Sequence, residues 1–353
     1  MHDPDEAAWD EAAARHEEAL ALAADGSIDD AHAAAEEALA GLRAALGDEH
    51  PDVGNAYDTL AEILVAQGRT SEALALWPRA LAAFDAWPGE EIARRMRLPV
   101  AQHFAMARAL ACDFDGARAL VDECIEQAAQ LHGPAHPEVA AGWNLRGVVA
   151  KFTGRYDEAE AAYAQALARL GGEADAPAWL LHNLAGLACA RGDFARAEAT
   201  ARAALAKRDG DPLGAASDRA GLADALAGLG RPREAAAAYR EAIDAYEAAG
   251  RAQHPEVACF LQNLADALAD AGDGDEAVRC YRAAIARKEA CYGPDHPEVG
   301  AALASLAGLL AEQGSPEAAP LARRAVAIAA SLDEGHPLRA GCEAVARRLA
   351  AGG

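Results

Sequence analysis

A few groups of side chains in this sequence have types and spacings that could do chemistry. His132 and His136 stand four residues apart, but Gly133-Pro134 between them breaks the helix that would put both imidazoles on one face. Asp270 to Glu276 is rich in carboxylates, yet it lacks the ligand spacing of a calcium loop and reads as a turn between two helices. Seven cysteines, at 112, 124, 189, 259, 280, 291 and 342, are odd in number and include no Cys-x-x-Cys pair, so neither a disulfide framework nor a zinc site is expected. Arg94-Arg95-Met96-Arg97 is the one basic cluster; it reads as a solvated helix face, with an acidic neighbour in the fold or a second partner as the other possibilities. There is no Gly-x-x-x-x-Gly-Lys phosphate loop, no Gly-x-Ser-x-Gly elbow and no His-Glu-x-x-His pair. The expectation is a protein that is not an enzyme and uses no cofactor or metal.

Composition narrows the alternatives. Of 353 residues, 52% are hydrophobic and only 5% aromatic, with alanine everywhere, a mix that suits closely packed helices. The net charge of −24 argues against nucleic acid, since binding phosphates requires a basic face. It is uneven: residues 1 to 90 hold 20 acidic and 4 basic side chains, a balance of −16, and the other 263 hold 36 and 28, a balance of −8. Met1 to Asp10 is acidic and shows no basic-then-apolar leader, and no apolar run approaches the ~18 residues of a membrane span. These features predict a soluble, cytoplasmic chain that binds neither nucleic acid nor membrane.

The elements that position these side chains follow from an internal repeat. Eight anchor positions, Gly26, Gly68, Cys112, Gly154, Gly192, Gly230, Gly272 and Gly314, are separated by 42, 44, 42, 38, 38, 42 and 42 residues. Five positions after each anchor stands an alanine: Ala31, Ala73, Ala117, Ala159, Ala197, Ala235, Ala277 and Ala319. Twelve after it come Ala38, Ala80, Cys124, Ala166, Ala204, Ala242, Ala284 and Val326, followed by Leu or Ile in the first seven copies.

Each unit reads as two helices. The first opens at a His-Pro step in five places, His50-Pro51, His136-Pro137, His254-Pro255, His296-Pro297 and His336-Pro337, where proline fits the first turn and an acid follows in four of the five. These histidines are expected to be loop and cap residues rather than ligands. The anchor glycine ends the first helix in a left-handed position, and an acidic start such as Asp157-Glu158 opens the second. The small residues at anchor plus five and plus twelve, seven apart, lie on one face of that second helix. Pro99 is expected to kink or restart its helix. Residues 4–24 and 337–350 should form incomplete capping helices, with Arg339, Glu343, Arg347 and Arg348 giving the last a polar face, and Ala351-Gly352-Gly353 should fray.

The segment His136-Pro137-Glu138-Val139 through Gly154-Arg155-Tyr156-Asp157-Glu158-Ala159-Glu160, with Tyr163 and Ala166-Leu167, resembles the tetratricopeptide repeat, in the longer form of kinesin light chains and their bacterial relatives. Trp143, Gly147, Ala159, Tyr163 and Ala166 fall on its signature positions. The resemblance covers roughly residues 8 to 335. Single copies depart from it: Arg146 stands where leucine is usual, Cys112 replaces the anchor glycine, and Arg323 and Val326 weaken the last unit. It implies an all-α fold, a right-handed α-α superhelical solenoid of tandem helix-turn-helix units, running through residues 1–353 as a single domain of about eight repeats. The two units with 38-residue spacing, anchored at Gly192 and Gly230, lack the His-Pro step, so a change of pitch is expected near residues 171 to 215. Repeats that fill nearly the whole chain leave no stretch for a separate catalytic domain.

The same resemblance implies a concave groove lined by the first helix of each unit. One column of groove positions holds Asp58, Gln102, Asn144, His182 and Gln262, and a second, one turn on, holds Glu62, Met106, Val148, Gly186, Asp224, Asp266 and Gly308. Asn183 and Asn263 match positions where related asparagines bond a peptide backbone, for which an amide offers both a donor and an acceptor. The bland alternative for each is a solvated polar surface. Lys151 is the only lysine in these columns, and the acids would repel an anionic tail, so a neutral or basic protein or peptide partner is predicted. The expected function is an interaction scaffold or adaptor; the alternative is a regulator whose curvature responds to a ligand or peptide.

Overall fold

A computed structural model describes residues 4–332 and 337–352, and among the described residues all regular structure is helical. Contacts divide the chain into two compact units, residues 1–191 and 192–353. The division falls inside the stretch where the repeat spacing shortens.

The first unit contains α1 (Pro4–Asp25), α2 (Ile28–Leu46), α3 (Pro51–Ala66), α4 (Thr70–Asp85), α5 (Glu91–Leu110), α6 (Phe114–His132), α7 (Pro137–Phe152), α8 (Tyr156–Arg169) and α9 (Ala178–Ala190). The second contains α10 (Phe194–Leu205), α11 (Pro212–Gly228), α12 (Pro232–Ala248), α13 (Pro255–Ala271), α14 (Gly274–Tyr292), α15 (Pro297–Glu312), α16 (Ala318–Ala329) and α17 (Pro337–Gly352). Within each unit every helix packs on its neighbours in sequence, most closely as the antiparallel pairs α1/α2, α3/α4, α5/α6 and α7/α8 in the first and α11/α12, α13/α14 and α15/α16 in the second. This is an α-α solenoid. Residues 4–25 are a full partner of α2, with Ala19 completely buried, rather than an incomplete cap. At the other end α17 is helical through Gly352, and Gly353 lies outside the described residues.

The helix ends follow from the repeated residues. All eight anchors have positive φ, from 64° at Cys112 to 89° at Gly272. The amide after the anchor reaches back to a carbonyl five residues earlier, as in Arg69 N–H to Leu64 O (2.8 Å) and Asp273 N–H to Leu268 O (2.8 Å), which satisfies a terminal carbonyl and turns the chain. At the opposite ends, His50, His136, His254 and His296 are N-caps whose Nδ1 accepts the amide of Asp52, Glu138, Glu256 and Glu298 at 3.2–3.3 Å. His336 lies outside the described residues. α6 does end at His132, yet the His132 and His136 rings stack with centroids 4.5 Å apart, as Tyr292 and His296 do at 4.8 Å in the second unit.

The small-residue columns are the packing seam. Ala31, Ala73, Ala117, Ala159, Ala197, Ala235 and Ala277 are fully buried, as are Ala38, Ala80, Cys124, Ala166, Ala204, Ala242 and Ala284. The last unit departs from the expected register. Ala319 is exposed and Val326 only half-buried, while Ala318 and Ala325 take the buried places. The seam of this unit therefore falls four and eleven residues after Gly314 instead of five and twelve, and α16 opens at Ala318, four residues after the anchor, where α14 opens two after its own. The helix does not restart at Pro99, since α5 runs continuously from Glu91 to Leu110.

A second recurring position lies sixteen residues after the anchor, where the second helix of one pair meets the first helix of the next. In the first unit it is apolar: Leu42, Phe84 and Ala128 are buried there. In the second unit it is polar in three of the four copies, Ala330 being the exception, and each of the three polar side chains bonds an acid ten residues on. Arg208 bonds Asp218 (2.8 Å), Tyr246 bonds Glu256, and Lys288 bonds Glu298 (2.7 Å). Lys288 is among the most deeply buried side chains, and Gln262 accepts a second hydrogen bond from it at 2.6 Å.

Candidate functional site

The residues expected to line a groove sit on the odd-numbered helices. In the first unit these are Asp58 and Glu62 on α3, Gln102 on α5, Asn144 and Lys151 on α7, and His182 and Asn183 on α9. In the second they are Asp224 on α11 and Gln262, Asn263 and Asp266 on α13.

Asp58 is buried rather than displayed. The α4 residue Trp77, itself buried and stacked on Phe104, donates its indole N–H to Asp58 Oδ1 at 2.7 Å. His103 Nδ1 on α5 lies against both carboxylate oxygens, 3.2 Å from Oδ1 and 3.1 Å from Oδ2. Glu62, one turn along α3 and 51% exposed, places Oε1 3.5 Å from the same nitrogen. Burial opposes a charge on His103, but the Asp58 hydrogen bond and the two carboxylate charges outweigh it, so its pKa lies above the usual histidine value. Burial raises the Glu62 carboxyl, only partly offset by His103. Among the described residues this is the one cluster of histidine and carboxylates close enough to share a cation.

Farther along the first unit, Gln102 is half-buried and its amide nitrogen has no partner among the described residues. Asn183 Nδ2 donates to Asn144 Oδ1 at 2.9 Å, linking α9 to α7. The Lys151 ammonium lies over α9 at Gly186, where a Cβ would come within 2.9 Å of it. His182 is half-buried beside Asn183. The basic cluster is divided: Arg94 and Arg95 are exposed, with Arg95 2.7 Å from Glu91, while Arg97 is largely buried between Asp85 (2.7 Å) and Glu123 (2.8 Å). Arg146, at the usual leucine position, pairs with Asp122 and lies over the Trp143 ring.

The second unit uses its acids differently. Asp224 accepts a hydrogen bond from the Tyr239 hydroxyl and Asp266 one from the Tyr281 hydroxyl, so each ties a first helix to the signature aromatic of the second. At the corresponding tyrosine of the first unit, Tyr163, the register position of the aspartate is held by Val148, and the buried hydroxyl has no partner among the described residues. Asn263 Nδ2 donates to Asp224 at 3.3 Å, and Gln262 is held by Lys288. Burial raises the Asp266 carboxyl, with the Tyr281 bond offsetting part of that. Gln262, Asp266, Asp270, Tyr281, Glu312 and Arg348 line a cleft of about 580 Å³ formed by α13, α14, α15 and α17.

Sequence reasoning missed His103, Trp77, Tyr239, Tyr281 and Lys288 as partners of the groove residues. The tyrosines carry a signal, since each stands fifteen residues after its aspartate. His103 carries none, because its meeting with α3 depends on how two helices 45 residues apart are rotated.

Comparison with known proteins agrees with this geometry. The tetratricopeptide repeat family model matches residues 10–86, 98–171, 143–210 and 256–339. No curated protein matches the chain. Among solved structures, a chain of the APC/C hetero-tetramer Cut9-Hcn1 aligns at 15% identity over 94% of this chain and 54% of that one, with a TM-score of 0.59; this chain spans about half its length. RapI in its apo form aligns at 14% identity over 79% of this chain and 98% of that one, with a TM-score of 0.58. BtubC (BKLC) from P. vanneervenii is 20% identical over 70% of this chain and 92% of that one, with a TM-score of 0.44. At such identities the likeness shows the fold alone, and it rests on the first two.

Proposed function

The chain belongs to the tetratricopeptide repeat family, and from that premise we propose that it is a protein-interaction scaffold whose first-helix faces bind an extended, neutral or basic segment of a partner protein. The observation that carries this reading is the recurrence, in both units, of a half-exposed amide bonded to a polar residue on the preceding first helix: Asn183 to Asn144, and Asn263 to Asp224. Each such amide has two donors and a carbonyl acceptor. One bond to a neighbour orients the group and leaves capacity for the alternating N–H and C=O groups of an extended chain. The exposed carboxylates of Glu62, Asp224 and Asp266 favour a partner without net negative charge.

Unstructured peptides of matched length and basic, neutral or acidic composition, measured by fluorescence anisotropy at several salt concentrations, test this. Basic and neutral peptides should bind, the former more weakly as salt rises. Asn183→Ala and Asn263→Ala, tested separately, should each weaken the interaction made by its own unit roughly threefold to tenfold, the loss of about one hydrogen bond. Acidic peptides binding as well as basic ones, or affinities unmoved by both substitutions, would overturn the assignment.

A further inference from the structure

We propose that Asp58, Glu62 and His103 form a binding site for a divalent transition-metal ion, with Zn²⁺ as its best fit. The donor atoms are already gathered. Asp58 and Glu62 stand one turn apart on α3, and His103 reaches across from α5 with Nδ1 3.1 Å from Asp58 Oδ2 and 3.5 Å from Glu62 Oε1. All three donor atoms lie within 4.8 Å of one another. A tetrahedral ion with bonds of about 2.0–2.2 Å needs donor-to-donor edges of roughly 3.3–3.6 Å, and the two observed edges to His103 bracket the lower end of that range. An ion entering here displaces the hydrogen bond between His103 and the carboxylates and requires only small side-chain movements.

The surroundings fit a metal site in two further respects. The buried indole of Trp77 holds Asp58 Oδ1 at 2.7 Å, which fixes the carboxylate with both oxygens facing His103 Nδ1, Oδ1 at 3.2 Å and Oδ2 at 3.1 Å. Such an outer hydrogen bond to a ligating carboxylate is a regular part of metal sites. Glu62 is half-exposed and His103 is 39% exposed at the side chain, so an ion held by three protein groups would keep a fourth position facing solvent. One imidazole and two carboxylates are a donor set for zinc and its transition-metal neighbours; a calcium site would take oxygen donors alone. Two carboxylates one helical turn apart, in a 90-residue stretch with a balance of −16, also add an electrostatic pull on any cation.

The test uses the full chain after exhaustive treatment with chelator. Titration with Co²⁺ should give the visible absorption of a low-symmetry four-coordinate ion at one equivalent, and Zn²⁺ should abolish it. Isothermal titration with Zn²⁺ should show one site that His103→Gln and Glu62→Gln each weaken by at least roughly 100-fold, while Trp77→Phe, which keeps all three ligands, weakens it by about 10–100-fold. Both Gln variants alter partly exposed positions and should keep the helical circular dichroism of the parent, which separates loss of a ligand from loss of fold. No stoichiometric site at protein concentrations of about 10 µM, meaning a hydrogen-bonded cluster only, would overturn the proposal. So would a site that persists unchanged in His103→Gln, which would place the metal at other histidines.

Discussion

The buried ammonium of Lys288 makes a sharp prediction about how the second unit is held together. Lys288 Nζ bonds Glu298 Oε2 at 2.7 Å and Gln262 Oε1 at 2.6 Å, and its side chain is 2% exposed, whereas the Glu298 side chain is 40% exposed. Removing one partner of a fully buried pair costs about 3–5 kcal/mol, because the remaining charge is stranded away from water. Here the discount is substantial: Glu298 is already partly solvated and Gln262 stays in place, so Glu298→Ala should cost about 2–3 kcal/mol. Replacing both, with Lys288→Met and Glu298→Gln together, removes the stranded charge and should return stability to within about 1 kcal/mol of the parent. Repeat arrays do not unfold as one block, so the suitable assay is native-state hydrogen exchange read on α14 and α15, compared across the double-mutant cycle. If Glu298→Ala changes the local opening free energy by less than about 0.5 kcal/mol, or if the double variant is as unstable as Glu298→Ala, the reasoning from a desolvated ammonium is wrong.

Three further outcomes are expected. Burial, reinforced by the Lys288 charge and opposed by Glu298, lowers the His296 pKa, and only its neutral ring can accept the Glu298 amide. The unfolded chain therefore takes up the proton first: the His296 contribution is complete above pH ~6.5 and is lost as the pH falls below that toward the lower folded value. His296→Asn keeps a cap and should flatten the pH dependence of α15 opening between pH 7 and 5, and equal slopes in both proteins would refute this. Cys112 holds the left-handed anchor position with φ 64°, so Cys112→Gly should stabilise the α5/α6 pair by about 0.5–1 kcal/mol in urea unfolding; destabilisation would contradict the strain argument. Tyr239→Phe and Tyr281→Phe, which break bonds to Asp224 and Asp266, should each cost about 1 kcal/mol, whereas Tyr163→Phe should be neutral or stabilising, and equal losses at all three positions would refute the pairing.

Much of the fold could be read from residue types because its determinants are local. A glycine that must adopt positive φ, a histidine-proline step that caps a first turn, and an alanine required at a helix seam each act within a few residues of themselves. The last unit escaped because its seam falls at Ala318 and Ala325, one residue nearer the anchor than in the other copies, a shift that an alanine-rich stretch disguises. The groove positions were only half legible. Their placement on first helices follows from the register, but the partners of Asp58, Asp224 and Asp266 depend on side chains from other helices. A lysine at 288 gives no sign in the sequence that it lies in the interior, since charge normally marks the surface.

The shifted seam after Gly314 bears on whether these repeats are interchangeable modules. Two repeats with the same number of residues between anchor and seam can be swapped or copied as cassettes, since the alanines of the transplanted helix still meet the surface they were fitted to. A cassette cut from the repeat after Gly314 and spliced into an earlier place keeps its internal pairing of α15 with α16. Its outer surface would arrive turned by about 100°, the angle one residue subtends on a helix, because its seam lies one residue nearer the anchor. Engineers extending such a protein would copy the repeat built from α13 and α14 and leave its successor where it stands.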